Sequence, residues 1–133
     1  MSNIQSANSF ERDFCMCLYC YGFWVHRMTQ SAAGQPFDVI AARNGKTHVI
    51  DCKACAKNTF RLDRIEGNQI SAMQLWRKTG NGDGWFALRL NTAAVYMIAF
   101  ETLENEALKR TALNESEIKK LGIPLRKWVD NCI

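Results

Sequence analysis

The sequence predicts an α/β fold in which one mixed five-stranded sheet is flanked by helices, with a short helical tail at the C-terminus. Segments with helical spacing precede, interrupt and follow segments with strand alternation. An Asn-Gly pair joins two of the strand-like segments, which is the strongest short signal for a β-hairpin. The 133 residues are 47% hydrophobic, enough for one core, so we assign residues 1–133 to a single domain.

The chain is expected to begin with a short flexible arm, residues 1–8, followed by a first helix over residues 9–21. Apolar side chains in that helix recur every three or four residues, and Glu11 stands at a capping-box position after Asn8. Alternating aromatic and β-branched residues then predict a first strand over residues 23–28.

The central part of the chain is expected to form a hairpin and a second helix. After a loop at residues 29–36, two strands flank the Asn-Gly turn at residues 37–42 and 47–55. A polar, basic connection at residues 56–66 leads to a helix over residues 67–79.

The C-terminal part is expected to contain two further strands and the tail. A Gly-rich turn precedes strands at residues 85–90 and 94–100. The tail, residues 101–133, is helical and balanced in charge. Asn114 caps one short helix in it, and Pro124 begins another.

Charge and composition indicate which kinds of partner the protein can bind. Lys and Arg outnumber Asp and Glu by 17 to 13, and the whole excess lies in residues 35–100. Such a local excess favours a polyanionic partner. No segment approaches the roughly 18 uninterrupted apolar residues of a membrane span, so we expect no membrane association. The N-terminal segment lacks the basic and apolar regions of a secretory signal, so we expect a cytoplasmic protein with reduced thiols.

The six cysteines raise an alternative, a structural zinc ion or an iron–sulfur cluster. Cys17 and Cys20 form one C-x-x-C pair, and Cys52 and Cys55 form another. However, the first pair falls inside a helix-patterned segment, and strand alternation sends the second pair to opposite faces of the sheet. This favours small buried apolar side chains over metal ligands.

Two aspartates face each other in the predicted hairpin. Pairing around the Asn-Gly turn makes the numbers of opposed residues sum to 89, so Asp38 lies opposite Asp51. Opposed carboxylates destabilise a sheet, and a cation such as Mg²⁺, which prefers oxygen ligands, would offset their repulsion. Lys53 projects from the same face as Asp51, and Glu11 on the first helix can complete the ligand set or activate a water. The constellation predicts a nuclease-type metal site.

The same residues resemble a known signature. Phe37-Asp38, twelve residues and Asp51-Cys52-Lys53 look like the PD-(D/E)xK nuclease motif. The surrounding chain resembles Hjc-type and bacterial or phage RecU-type Holliday-junction resolvases in three segments. These are SFERDF for the first helix, GFWVHRMTQSAAGQPFDVIAARNGKTHVIDCKA for a strand, a Ser-containing loop and the hairpin, and ISAMQLWRKTGNGDGWFALRL for a helix with a Gln, a turn and a strand.

This resemblance implies a restriction-endonuclease-like fold and a homodimer that hydrolyses branched DNA with Mg²⁺, for which Mn²⁺ can substitute. It implies that the cation is held by Glu11, Asp38, Asp51 and the Cys52 carbonyl. It also makes Lys53 the catalytic lysine, with Gln74 supporting the site from the second helix. The residues expected to contact DNA are Ser31, Lys57, Arg61, Arg64, Arg77 and Lys78.

Two alternatives stay open from the sequence. One is a different PD-(D/E)xK enzyme, of VRR-NUC or restriction type, and the other is a catalytically silent DNA-binding protein. For the homodimer, we expect an apolar interface away from the catalytic face, formed by the strands at residues 85–90 and 94–100 and the neighbouring residues of the second helix. That expectation depends on the number of aromatic residues in these strands.

Overall fold

The computed structural model describes residues 3–29 and 34–132, with side chains described from residue 9 onward. Its centre is a six-stranded mixed sheet with the spatial order β1-β2-β3-β5-β6-β8. The only parallel pair in this sheet is β3 and β5, and the other neighbours are antiparallel. The strands are β1 (Trp24–Arg27), β2 (Val39–Arg43), β3 (Lys46–Ala54), β5 (Trp85–Arg89), β6 (Val95–Ala99) and β8 (Ile123–Pro124).

Helices and a second small sheet complete the fold. The two-residue strands β4 (Phe60–Arg61) and β7 (Ala112–Leu113) pair with each other. A single 3₁₀ turn follows β4 at Leu62–Arg64. The α-helices are α1 (Asn3–Cys20), α2 (Gly67–Lys78), α3 (Phe100–Ala107), α4 (Glu115–Leu121) and α5 (Leu125–Asn131).

The structure corrects the predicted start of the first helix and the number of strands. Helix α1 begins at Asn3, so residues 3–8 are helical and not an arm; residues 1–2 lie outside the described part. No Gly or Pro interrupts residues 3–8, so the helix continues past the predicted cap. The sixth strand, β8, is only two residues long and therefore has no readable alternation.

The predicted hairpin register is confirmed. Arg43 pairs with Lys46, and the ladder runs to Val39 opposite Ile50, so paired numbers sum to 89. In the tail, the predicted cap of α4 is also confirmed. The Asn114 side chain accepts from the Glu117 N–H at 2.9 Å, and the Glu117 side chain accepts from the Asn114 N–H at 2.9 Å.

Two apolar layers pack on opposite faces of the sheet. One layer contains side chains of α1 and α5, and the other contains side chains of α2, α3 and α4. Cys52 belongs to the first layer and Cys55 to the second, as strand alternation predicts.

Much of the expected dimer interface on β5 and β6 lies inside the core. Phe86, Met97 and Phe100 are at most 1% exposed. Trp85 at the start of β5 and Tyr96 on β6 are partly buried, so they are the aromatic side chains of these strands that keep some exposed surface. In the described part of the chain, no helix has the length and apolar character needed to cross a membrane.

Candidate active site

Asp38 immediately precedes β2, and its side chain accepts a hydrogen bond from the backbone of β3. Its own N–H still donates to the Ile50 carbonyl at 3.1 Å, but the paired ladder stops at Val39. Its carboxylate Oδ2 then accepts from the Cys52 N–H on β3 at 2.7 Å. The second oxygen, Oδ1, accepts from the Gln35 side-chain amide at 2.5 Å. Asp38 is thereby fixed at the end of the hairpin, 8% exposed.

Asp51 is fully buried on the neighbouring strand β3. Its Oδ1 accepts from the Gln69 side-chain amide at 2.9 Å. Its Oδ2 has no hydrogen bond and lies 3.2 Å from Lys53 Nζ, an ion pair without hydrogen-bond geometry. Burial raises the pKa of Asp51 well above its usual value, and the nearby Asp38 carboxylate adds to the rise, while Lys53 opposes it.

Glu11 brings a third buried carboxylate from α1. Burial raises its pKa to about 7, the Asp38 carboxylate adds to the rise, and Arg27 opposes it. Arg27 Nη2 lies 3.7 Å from Glu11 Oε2. The other oxygen, Oε1, is buried without a hydrogen-bond partner. Burial and the Asp38 carboxylate thus disfavour the ionised forms of both Glu11 and Asp51.

One open pocket of about 910 Å³ connects these groups with a basic wall. The carboxylates and Lys53 line one part, and Thr59 and Glu66 line another. The predicted site residues that line this pocket are Glu11, Asp38, Asp51, Cys52, Lys53, Lys57, Arg61 and Arg64. Arg64 is oriented by donating to the Ala54 carbonyl at 2.9 Å.

Three of the predicted residues, Gln74, Arg77 and Lys78, do not line this pocket. Gln74 is exposed and donates to Glu104 on α3 at 3.4 Å, and it does not line the pocket. Arg77 forms an ion pair with the same Glu104 at 2.8 Å. Lys78, at the end of α2, does not line the pocket either. Gln74 is five residues from Gln69, which is about 140° around a helix, so the two side chains point to different sides. Ser31 lies outside the described residues.

Two amides of the site escaped the sequence analysis. Gln35 holds Asp38, and Gln69 holds Asp51. The signal for Gln69 is its position three residues after Glu66, which is the spacing of a capping box. No local pattern identifies Gln35, because its contact depends on the path of the loop.

A hard divalent cation fits these residues. In residues 9–29 and 34–132, no three His, Cys, Asp or Glu side chains form a ready-made cluster. Mg²⁺ does not require one, because it is usually bound through one or two carboxylates, with waters and substrate phosphates as the other ligands. The unpaired oxygen of Glu11 and the unbonded Oδ2 of Asp51 supply acceptors of the required type. The pKa values of both groups are raised first by burial and then by the Asp38 carboxylate, and a bound cation would favour their ionised forms.

The comparison with known proteins identifies the family. The family described as archaeal Holliday junction resolvase (Hjc) matches residues 2–132, whereas no curated protein matches. Among solved structures, the chain is similar to Archaeoglobus fulgidus Hjc, a Holliday junction resolvase from an archaeal hyperthermophile. The TM-score is 0.70 at 20% sequence identity, over 92% of this chain and 98% of that chain.

That structural likeness confirms the restriction-endonuclease-like fold expected from the resemblance. The family match extends over nearly the whole length of the chain, and the resemblance to Hjc-type resolvases is thereby confirmed. The chain belongs to the archaeal Holliday junction resolvase (Hjc) family and is a structure-selective nuclease that acts as a Holliday-junction resolvase.

Proposed function

We propose that this resolvase hydrolyses phosphodiester bonds with Mg²⁺, or with Mn²⁺ in its place, in the pocket between β2, β3 and α1. The observation that carries the proposal is the meeting of Glu11, Asp38 and Asp51 beside Lys53 in one open pocket. Buried carboxylates next to one ammonium group, with a basic wall beside them, suit a phosphodiester substrate and a cation. They do not suit a protein that only binds DNA, because uncompensated buried acids would weaken its affinity for a polyanion.

The ligands in this proposal are Glu11, Asp38, Asp51 and the Cys52 carbonyl. A bound cation would supply charge to polarise the scissile phosphate and lower the pKa of an attacking water. The chain prepares the pocket for this chemistry. The Cys52 N–H holds Asp38 in place, and the Glu11 oxygen that has no hydrogen-bond partner is available as an acceptor for the cation.

Lys53 is the catalytic lysine of the proposal. Its side chain is 13% exposed, and its ammonium group lies 3.2 Å from Asp51 Oδ2 on the pocket wall. An ammonium in this position can donate to a non-bridging phosphate oxygen and stabilise the charge that develops in the transition state. The ion pair with Asp51 holds the ammonium group beside the carboxylates.

DNA is proposed to lie along the basic wall, with Lys57, Arg61 and Arg64 contacting phosphates. Such contacts position a duplex without reading its sequence, which suits an enzyme that selects a branched structure. Arg61 also forms an exposed ion pair with Asp63 at 3.1 Å, and exposed pairs of this kind are weak enough to open. The resolvase is further proposed to be a cytoplasmic homodimer in which Ser31 contacts DNA.

The experiment is a cleavage assay on labelled DNA. Wild-type protein should cut a four-way junction in Mg²⁺ or Mn²⁺ and should leave it uncut in EDTA. Linear duplex of the same sequence and a flap substrate show whether the junction is the preferred substrate. Cleavage of the junction at an undiminished rate in EDTA would contradict the cation-dependent mechanism.

The matched variant is Asp51→Asn, which we expect to abolish cleavage. An asparagine side chain can still accept from Gln69, and it removes one charge of the opposed pair. The unfolding temperature in EDTA should therefore not fall below that of wild type. Normal cleavage by this variant would refute Asp51 as a ligand, whereas a large loss of stability would leave a folding defect as the cause.

A further inference from the structure

The first turn of α2 reaches both aspartates of the candidate site. Gln69 donates directly to Asp51 Oδ1 at 2.9 Å. The preceding residue, Asn68, donates to the backbone carbonyl of Gln35 at 3.1 Å. Gln35 in turn donates its side-chain amide to Asp38 Oδ1 at 2.5 Å. Of these two neighbouring helical residues, Gln69 therefore contacts one carboxylate directly, and Asn68 is linked to the other through Gln35.

The backbone of α2 fixes the orientation of the Gln69 amide. Its oxygen accepts from the Glu66 N–H at 3.1 Å, at the position just before the helix begins. A carboxamide has one acceptor end and one donor end, so its NH₂ group must then face Asp51. Gln69 is only 5% exposed. The direction of this hydrogen bond is thus determined by the helix start itself.

The contact between the loop and α2 is close. A Cβ atom added at Gly34 would lie 3.2 Å from Asn68 Nδ2, and Gly34 adopts a φ of +79°. Both features favour glycine, which lets the loop backbone approach the helix and places the Gln35 carbonyl within reach of Asn68. The loop is held against α2 immediately next to the residue that contacts Asp38.

We propose that Asn68 and Gln69 are positioning residues that hold the two aspartates in the arrangement that binds the cation, with Asn68 acting through Gln35. This inference rests on the proposed function. Neutral amides suit the task because they satisfy carboxylate lone pairs without neutralising the charge that attracts a cation. Residues that hold a metal ligand typically change metal affinity about 10- to 100-fold when they are replaced.

The test measures Mn²⁺ binding to the DNA-free protein by calorimetry, together with junction cleavage and thermal unfolding in EDTA. Gln69→Met and Gln35→Ala should each weaken Mn²⁺ binding at least about tenfold. Asn68 contacts no carboxylate, yet Asn68→Ala should also weaken Mn²⁺ binding. It should add nothing in the Gln35→Ala background, because the two residues act in series. The matched control is Gln74→Ala, an amide on the same helix that contacts Glu104 and should leave Mn²⁺ binding unchanged.

A further variant separates positioning from helix capping. Gln69→Glu keeps an oxygen that can accept from the Glu66 N–H, as glutamate does in ordinary capping boxes. It replaces the donor to Asp51 with an acceptor. The new carboxylate lies beside buried Asp51, so the two acids repel each other or share a proton, and we expect slow cleavage at a temperature at which unfolding curves show the variant to be folded. If Gln69 served only as a cap, this variant would cleave normally.

Specific outcomes would overturn the inference. Wild-type Mn²⁺ affinity in Gln69→Met would remove the role of Gln69. Wild-type affinity in Asn68→Ala, or effects of Asn68→Ala and Gln35→Ala that add in the double variant, would remove the path through Gln35. A wild-type protein that neither binds Mn²⁺ nor cleaves a junction would overturn the proposed function and this inference with it. Cation-dependent wild-type cleavage with unaffected variants would overturn this inference alone.

Discussion

At the scale of single residues, the carboxylate groups of this site work against folding. Glu11 and Asp51 are buried, and both have raised pKa values because burial and the neighbouring Asp38 disfavour their charged forms. A carboxylate that is costly to ionise in the folded protein is a poor stabilising element and a good cation ligand. The residues that carry the chemistry are therefore the ones that the fold holds least favourably without a cation.

A pH dependence follows from the pKa of Glu11. In the folded protein this pKa is about 7, against 4.5 without perturbation, so between these values the folded state binds more protons than the unfolded state. The stability of the cation-free protein should then fall as pH rises from about 4.5 to 7. Glu11→Gln, which cannot ionise, should show a smaller fall over that interval. Urea unfolding in EDTA at several pH values measures both slopes, and equal slopes would contradict the role of Glu11.

At the scale of elements, the guanidinium group of Arg43 joins the C-terminal helix α5 to the hairpin. Arg43 donates to the carbonyl oxygens of Val129 at 2.6 Å and Cys132 at 2.9 Å, and to that of Tyr21 at 2.9 Å. Its guanidinium carbon also lies 4.5 Å from the centre of the Phe23 ring. One side chain at the turn thus joins the end of α5 to the segment that follows α1.

We expect Arg43→Ala to lower the free energy of unfolding by about 2–3 kcal/mol. A hydrogen bond from a charged donor contributes about 1.5–3 kcal/mol, and the Arg43 guanidinium makes three such bonds to backbone carbonyls. The control is Arg126→Ala on α5, since Arg126 is 77% exposed and lies 3.9 Å from Asp130. That change should stay within about 0.5 kcal/mol. Urea unfolding curves measure both, and equal effects would show that Arg43 does not attach the helix.

The elements also show how far sequence reasoning reaches in this protein. The Asn-Gly turn sets the hairpin register, and strand alternation sets the face, so Asp38, Asp51 and Lys53 were predictable from local rules. The contact between Gln69 and Asp51 was not predictable in this way, because the sequence alone does not show which side of α2 faces Asp51. Gln74 lies five residues from Gln69, about 140° around the same helix, and contacts Glu104 instead. Strand β8 is two residues long and pairs with β6, so it depends on a contact between separate parts of the chain that no local pattern shows.

At the scale of the whole molecule, the basic residues divide into two groups. Lys57, Arg61 and Arg64 line the pocket. Arg77 is paired with Glu104 on α3, and Lys78 does not line the pocket. The uneven charge of residues 35–100 in the sequence therefore yields one basic surface beside the candidate active site and a second group of basic residues at the end of α2.

The salt dependence of DNA binding should distinguish these groups. Each phosphate contact contributes about −0.9 to the slope of log K against log[salt], so three contacts in each subunit of a dimer predict a slope of roughly −5. Lys57→Ala and Arg64→Ala each remove one contact from both subunits and should make the slope shallower by about two units. Lys78→Ala should leave it unchanged. Fluorescence anisotropy with a labelled junction measures the slopes, and a change confined to Lys78→Ala would place DNA on the other surface.

The symmetry of a four-way junction predicts that this protein acts as a dimer. A four-way junction has near two-fold symmetry, and resolving it requires two opposed cuts, whereas one chain carries a single set of Asp38, Asp51 and Lys53. A symmetric dimer supplies the second site. Light scattering of dilute protein should therefore give twice the chain mass of 15.2 kDa.

The burial of Phe86, Met97 and Phe100 leaves little apolar surface for an interface on β5 and β6, whereas large exposed apolar side chains occur near both core layers. Examples are Tyr19 on α1, 68% exposed, and Leu108 just after α3, 87% exposed. Tyr19→Glu and Leu108→Glu locate the interface, because only a charge placed within it should convert the dimer to a monomer. A wild-type protein that stays monomeric at micromolar concentration, with and without junction DNA, would rule out paired cutting by a preformed dimer.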